Sequence, residues 1–126
     1  MPFTHSISLT WGAGGDLIGT AVSKTGGIEQ NFSLGLGTVT HQLIDLEWAA
    51  AKLLAIFIVV DADCTLKLNS SGSPTDTIAL KPGAPFCWVR DSGVAYPFVG
   101  TAGAVTAGYV TTAAATGIEI RTLLDL

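Results

Sequence analysis

Few residues of this chain have both the type and the spacing that catalysis or metal binding requires. His5 and His41, the two histidines, have no Cys, Asp or His at the intervals typical of zinc ligands. Asp45 and Glu47 form a carboxylate pair of the kind that glycosidases use, but ten acidic residues in 126 make such pairs common by chance. No nucleophile stands in a G-x-S-x-G or cysteine-protease pattern. We therefore expect a non-enzyme with no catalytic residues, no metal site and no cofactor.

Three residues with side-chain oxygens are weak candidates for a Ca²⁺ site, and the two cysteines are weak candidates for a disulfide. Asp61, Asp63 and Asn69 have side chains that can bind Ca²⁺ from a loop, but no EF-hand or RTX pattern surrounds them, and a plain turn is the preferred interpretation. Cys64 and Cys87 do not form a CxxC pair. Two small buried side chains in a reducing compartment explain these cysteines better than a disulfide does.

The three indoles are the remaining side chains with a possible ligand. Trp11, Trp48 and Trp88 are candidates for a platform that stacks against sugars, although packing in a core or an interface is the more common use of tryptophan. The glycine groups at residues 12–15 and 100–103 match neither the dinucleotide nor the Walker A pattern. Turns are expected at both places.

The chain carries little charge. Only 13% of its residues are charged, about half the usual share, and its mean hydropathy is +0.52. A free monomer of this size needs more charge to cover its surface, so part of the exterior is expected to be buried against other subunits. The composition favours a homo-oligomer or a member of a larger assembly.

Charge distribution and hydropathy also exclude some partners. The net charge is −4, and the six basic residues are spread singly along the chain. Nucleic acids and anionic membranes are bound through clustered cations, so neither is expected as a partner. The longest apolar stretch, residues 53–60, is far shorter than the roughly 20 residues that span a bilayer. The first six residues lack the basic and apolar regions of a signal peptide, which predicts a soluble protein made in a cytoplasm.

The elements that position these residues are expected to be strands of one domain over residues 1–126. Frequent Thr, Val and Ile and recurring turn clusters are typical of an antiparallel two-sheet β-sandwich, jelly-roll-like, with about 8–10 short strands. The N-terminal residues could extend from this domain as an arm. The predicted strands are residues 3–11, 17–24, 28–36, 52–60, 64–69, 75–81, 86–89, 96–99, 105–112 and 117–124.

Residues 43–57 fit two patterns. Their apolar residues also have helical spacing, and the run of Ala at 49–51 favours a helix. Residues 56–60 are β-branched and aromatic, which favours a central strand over residues 52–60 with at most one helical turn before it. Gly35 and Gly37 interrupt residues 28–36, as in an edge or bulged strand.

Several short motifs follow one another in a recognisable order: Trp48-Ala49-Ala50-Ala51-Lys52-Leu53, Asp61-x-Asp63, residues 65–80, Pro85-Phe86-x-Trp88, Gly108-Tyr109-Val110-Thr111 and Ile118-x-Ile120-Arg121-x-Leu123-x-Asp125. In this order they resemble small β-sandwich virion proteins of tailed bacteriophages. No diagnostic motif of that family is shared, so the resemblance carries over no capsid-contacting residue.

The resemblance implies a capsid decoration (cement) protein, often a trimer. Such a protein would bind the major capsid protein on the outside of a phage head, be made in the bacterial host cytoplasm, and bridge neighbouring capsomers. Low charge suits a subunit enclosed by neighbours, and net acidity suits a basic partner surface. A phage tail or fibre adhesion protein that binds a host receptor or glycan is the alternative hypothesis.

Overall fold

The regular structure of this protein is entirely β. The computed structural model describes residues 3–13 and 16–125, with side chains at residues 4 and 25–125. No helix occurs in those residues, and every strand pair is antiparallel. The strands are β1 (Phe3–Ala13), β2 (Asp16–Gly26), β3 (Ile28–Leu36), β4 (Gln42–Ile44), β5 (Trp48–Ala49), β6 (Leu53–Val60), β7 (Cys64–Leu68), β8 (Asp76–Leu80), β9 (Phe86–Val89), β10 (Ala104–Val105), β11 (Gly108–Thr112) and β12 (Thr116–Leu124). The predicted all-β class is confirmed, with twelve strands in the described residues against the expected eight to ten.

Two four-stranded sheets contain most of these strands. The first sheet has the order β3-β12-β6-β9, and the second sheet has the order β4-β11-β7-β8. β1 and β2 form a long hairpin, and β5 pairs with β10. The predicted central strand at residues 52–60 is confirmed as β6, inside the first sheet. Residues 28–36, predicted to be an edge or bulged strand, form β3 at the edge of that sheet.

A single large core cluster takes its members from both four-stranded sheets. Alternate residues of β7 and β11 are buried, because successive side chains of a strand point to opposite faces. Their buried members, Leu66, Leu68 and Val110, belong to the same cluster as Ile58 and Ile120 of the first sheet. The core therefore lies between residues of the two sheets.

A cluster of four aromatic residues packs in one part of this core. Phe98 is almost fully buried, and its ring centroid lies 5.2 Å from that of Trp48, 5.6 Å from that of Phe86 and 5.3 Å from that of Tyr96. Residues 96–99 were predicted to be extended, and the structure places them outside any strand. These large rings fix the loop after β9 against the core without a sheet ladder.

The region before β6 fitted both a strand and a helix, and it contains no helix, only a hydrogen-bonded turn at residues 49–52. Ile44, Leu46 and Trp48 are buried while Asp45 and Glu47 are exposed, which is the period of two that an extended chain produces. This alternation outweighs the helix propensity of the Ala run, where Lys52 N donates to Ala49 O in a turn instead.

The predicted strand at residues 105–112 is divided into β10 and β11, and Asn69 explains the division. Asn69 has a positive φ of 70° at the end of β7. Its Oδ1 accepts from Thr106 N at 2.7 Å, and its backbone N donates to Ala107 O at 2.9 Å. Residues 106 and 107 are thereby bonded to the end of β7 instead of continuing one strand.

Candidate functional site

The outward side of the first sheet carries an apolar patch on β6 and β9, beside the charged Glu119 and Arg121 of β12. Ile56, Ile58 and Ile120 point into the core, so the residues between them in β6 and β12 point outward. The strand register aligns these residues with the outward positions of β9. We call this surface the apolar outer face; it comprises Ala55, Phe57, Val59, Cys87, Val89 and Leu123.

One end of the apolar outer face is covered by the chain itself. Ala55, Val89 and Leu123 are only 8%, 6% and 3% exposed although they point away from the main core. Gly26, at the junction of β2 and β3, lies directly over Leu123, since a Cβ at position 26 would be 2.8 Å from Leu123 Cγ. Glycine is needed there because any larger residue would also meet the carbonyl oxygen of Leu124 at 2.6 Å.

The rest of the apolar outer face is partly accessible, since Phe57 and Cys87 are half-buried and Val59 is exposed. Beside the covered end lies a depression of about 310 Å³, whose floor includes Ala55, Phe57 and Leu123 and whose rim includes Asn31 and Arg121. A second depression, of about 320 Å³, continues past Val59, which is 39% exposed. An apolar centre with a polar rim is the usual anatomy of a protein–protein interface.

The rim is held by hydrogen bonds within the sheet. Arg121 Nη1 donates to the carbonyl oxygens of Phe32 at 3.0 Å and of Ile120 at 3.1 Å. Its Nη2 lies 3.7 Å from Glu119 Oε1, and Ser33 Oγ donates to the same carboxylate oxygen at 3.5 Å. The guanidinium is therefore fixed at the border of the face, where such exposed ion pairs add little stability.

The outward side of the second sheet has a different chemistry. Its register aligns Thr65 of β7 with Thr111 of β11 and with Ala79 of β8. Lys67 occupies the next outward position, and its Nζ donates to Ser71 O at 3.3 Å. We call this surface the polar outer face; it comprises Thr65, Lys67, Thr77, Ala79, Tyr109 and Thr111. Leu43 of the edge strand β4 lies beside Tyr109 and is 52% exposed, so this face is apolar at that edge.

The acidic residues singled out as calcium ligands serve separate contacts. Asp61 Oδ1 accepts from Gly117 N at 2.7 Å, and Asp63 Oδ2 lies 3.2 Å from Lys81 Nζ. Asn69 binds the backbone of residues 104 and 106. Asp61 and Asp63 form the turn that carries the chain from the first sheet to the second, so the predicted turn is confirmed.

The remaining polar candidates are not brought together. His41 lies at a positive φ of 53°, and its backbone N donates to Thr111 Oγ1 at 3.1 Å. Asp45 and Glu47 are exposed. Among the side chains that the structure describes, no three His, Cys, Asp or Glu residues converge on one point. The side chains of His5 and Trp11 lie outside the described residues.

The two described tryptophans belong to the core. Trp48 and Trp88 are 4% and 6% exposed, as the packing interpretation predicted. Trp48 Nε1 donates to Tyr96 Oη at 2.8 Å, and Trp88 Nε1 donates to Val94 O at 3.0 Å. Burial raises the pKa of the Tyr96 phenol, and the hydrogen bond from Trp48 partly opposes that shift. With both rings buried, neither Trp48 nor Trp88 offers a face to a sugar.

The two cysteines are free thiols on different sheets. Cys64 is buried at the start of β7, and its pKa is raised by burial and by the nearby carboxylates of Asp63 and Asp61. Cys87 is half-buried on the apolar outer face, and burial raises its pKa as well. Both environments make the thiols less reactive than a free cysteine.

The apolar outer face was not identified from the sequence, although a signal for it existed. Residues 53–60 of β6 are apolar at every position, and a strand that is apolar at both parities has an apolar residue on each face. Alternation along β12 places Leu123 outward, on the side of Glu119 and Arg121, but Gly26 covers it.

Comparisons with known proteins complete the description of the site. No protein-family model, no curated protein and no solved structure matches this chain. None of the residues that the structure describes forms a helix able to span a membrane. The class that the fold defines is an all-β protein with antiparallel sheets, and its most distinctive surface is the apolar outer face.

Proposed function

We propose that this protein is a structural component of a tailed-phage virion, a capsid decoration protein that binds the outside of the head. In this proposal the two four-stranded sheets form a β-sandwich of jelly-roll type, and the chain is a single non-enzymatic domain. Its partners are other copies of itself, with a trimer as the state implied by the resemblance, and the major capsid protein.

The apolar outer face is the observation that carries the proposal. Phe57 and Val59 lie at the open part of this face, on a chain with only 13% charged residues. An exposed apolar surface with a polar rim is costly for a protein that stays alone in water and useful for one that is buried in an assembly. The motifs resembling phage virion proteins give the assembly its identity.

The mechanism follows from mass action. A protein that binds the assembled shell, and not the separated capsomers, shifts the equilibrium toward the shell. Bridging two capsomers would oppose the outward pressure of packaged DNA without any chemical step. The net charge of −4 suits a basic partner surface. The protein would be made in the bacterial cytoplasm and reside on the capsid surface.

A tail or fibre adhesion protein is the second candidate for the same resemblance. Glycan recognition commonly uses exposed aromatic rings, and Trp48 and Trp88 are buried. The described residues therefore favour assembly over adhesion. Binding to host cells or to a glycan array would reverse this preference.

The test uses heads that lack the decoration protein and a matched pair of lysine variants. Val59→Lys places a charge on the apolar outer face opposite Glu119, a pairing that the fold can accept. Thr65→Lys places the same charge on the polar outer face. Wild-type protein and Thr65→Lys are expected to bind the heads and raise their disruption temperature, whereas Val59→Lys is expected to bind at least about tenfold more weakly.

Two results would count against this function. If wild-type protein does not rebind to such heads, and immunogold places it elsewhere on the virion, the decoration proposal is wrong. If Val59→Lys and Thr65→Lys bind equally well, the apolar outer face is not the contact, even if decoration itself is correct.

A further inference from the structure

The first sheet ends in an unusually long edge strand. β3 has nine residues, all paired with β12 on one side, and no strand of the described residues pairs with its other side. The other edge strands of the two four-stranded sheets, β4, β8 and β9, have three, five and four residues. Long free edges are templates for strand addition, so native proteins usually keep edges short.

The backbone groups facing this open edge can be assigned. Thr122 Oγ1 and Arg121 Nη1, both from β12, donate to the carbonyl oxygens of Gln30 and Phe32, so these carbonyls point toward β12. In an antiparallel pair, alternate residues direct both backbone groups to opposite edges. The N–H and C=O groups of the intervening residues therefore point away from β12; these residues are Glu29, Asn31, Ser33 and Gly35.

The side chains of β3 also leave this edge incompletely covered. Phe32, Leu34 and Leu36 pack against the main core but are only partly buried. β3 has few of the features that prevent an edge strand from pairing with another chain. It contains no Pro, Lys or Arg, and Glu29 is its one charged residue. A strand added at this edge would satisfy backbone groups and cover apolar side chains together.

We propose that the occupant of this edge is β3 of a second copy of the chain, paired antiparallel about a two-fold axis at Phe32. Phe32 is the midpoint of the nine-residue strand, so every residue of β3 finds a partner. Asn31 then pairs with Ser33 of the second copy, and Glu29 pairs with Gly35, so no like charges meet. Both pairs consist of residues whose backbone groups face the edge, as an antiparallel ladder requires.

A second copy offers this edge a strand of the same length with no like charges opposed. The single charged residue falls opposite glycine, and the two Phe32 rings approach at the axis, where non-hydrogen-bonded neighbours are close. The inference rests on the proposed function only in that it names the self-contact of an assembly protein. It predicts a two-fold contact, and hence a dimer where the resemblance implies a trimer.

Two double variants with opposite charges test the pairing. In Asn31→Lys/Ser33→Lys, the register places lysine opposite lysine across the axis, and Asn31→Asp/Ser33→Asp places aspartate opposite aspartate. Wild-type protein is expected to reach twice its 12.9 kDa mass as concentration rises. Each double variant is expected to dimerise at least about tenfold more weakly, and an equimolar mixture of the two should recover a heterodimer.

The control puts the same lysines on the edge of the other sheet. Thr77→Lys/Ala79→Lys alters exposed residues of β8 and is expected to dimerise like wild type. Light scattering and sedimentation give the masses, and far-UV circular dichroism verifies that each variant is folded. A wild-type monomer at the highest soluble concentration, a trimer unaffected by the β3 charges, or no heterodimer in the mixture would overturn the pairing. Head binding is a separate measurement, so a dimer that does not bind heads contradicts only the proposed function.

Discussion

The outward faces of the two sheets differ, although both sheets supply the same core. On the first sheet Phe57 and Val59 continue the apolar character of the interior to the outside. On the second sheet Thr65 and Lys67 alternate with buried residues, so the outside is polar. The polar side chains of the second sheet are stable in contact with water, whereas removing the apolar outer face from water would be favourable.

This difference indicates where the proposed partner would bind. Alternation in β7 is what a sheet with one wet face requires. β6 departs from it and has apolar residues on both faces. Leu123, next to β6, is covered by Gly26, whereas Arg121 and Glu119 of β12 separate Phe57 and Val59 from the edge strand β3. The uncovered part of this face is the contact surface of the proposed assembly.

Among substitutions on the two outer faces, we expect the largest loss in the free energy of unfolding at Leu123. Truncation in Leu123→Ala removes a side chain that is 3% exposed beneath Gly26, and it should lower the free energy of unfolding by about 2–4 kcal/mol. Thr65→Ala, at an outward position of the second sheet, should change it by no more than about 0.5 kcal/mol. Urea unfolding at constant slope measures both values. Equal losses would mean that the two outward faces do not differ in packing.

An intermediate effect is expected where the chain crosses over the apolar outer face. In Gly26→Ala the added methyl group would meet Leu124 O and the Leu123 side chain, so we expect a loss of about 1–3 kcal/mol. Gly35→Ala is the control, since a Cβ at that position of the neighbouring strand meets nothing within 4 Å. If Gly26→Ala is as stable as Gly35→Ala, residue 26 is not in close contact with the Leu123 side chain.

The sequence predicted the elements better than their arrangement. Period-two patterns located β7 and β8 to within a residue or two, and the apolar run of β6 identified a central strand. The alternation of Ile44, Leu46 and Trp48 also carried a strand signal, but helical spacing of other apolar residues obscured it. Local patterns succeed where one face is buried and the other is wet.

The apolar outer face required three-dimensional information. Leu123 and Ala55 are adjacent only because β12 pairs with β6, and Val89 joins them through the β6–β9 register. Neither pairing follows from sequence spacing, since these residues are far apart along the chain. The hydrogen bonds that divide β10 from β11 likewise depend on the side chain of Asn69, which no periodicity reveals.

The smallest effect concerns Cys87, the thiol of the apolar outer face. Burial raises its pKa above the ordinary 9.0, so the folded state holds the thiol proton more tightly than the unfolded state does. The resulting stabilisation is fully present below the ordinary pKa and is lost as the pH rises through the higher pKa of the folded protein. Cys87→Ser removes this dependence while leaving Cys64, Tyr96 and every other group in place.

The difference between the urea midpoints of wild type and Cys87→Ser should therefore be constant from pH 7 to about pH 8.5 and shift in favour of the variant at higher pH. The titrations of Cys64 and Tyr96 cancel in this comparison because both proteins contain them. Parallel profiles up to pH 10.5 would mean that the Cys87 thiol is as well hydrated as in the unfolded chain. The apolar outer face would then be wetter around Cys87 than its neighbours Phe57 and Val89 imply.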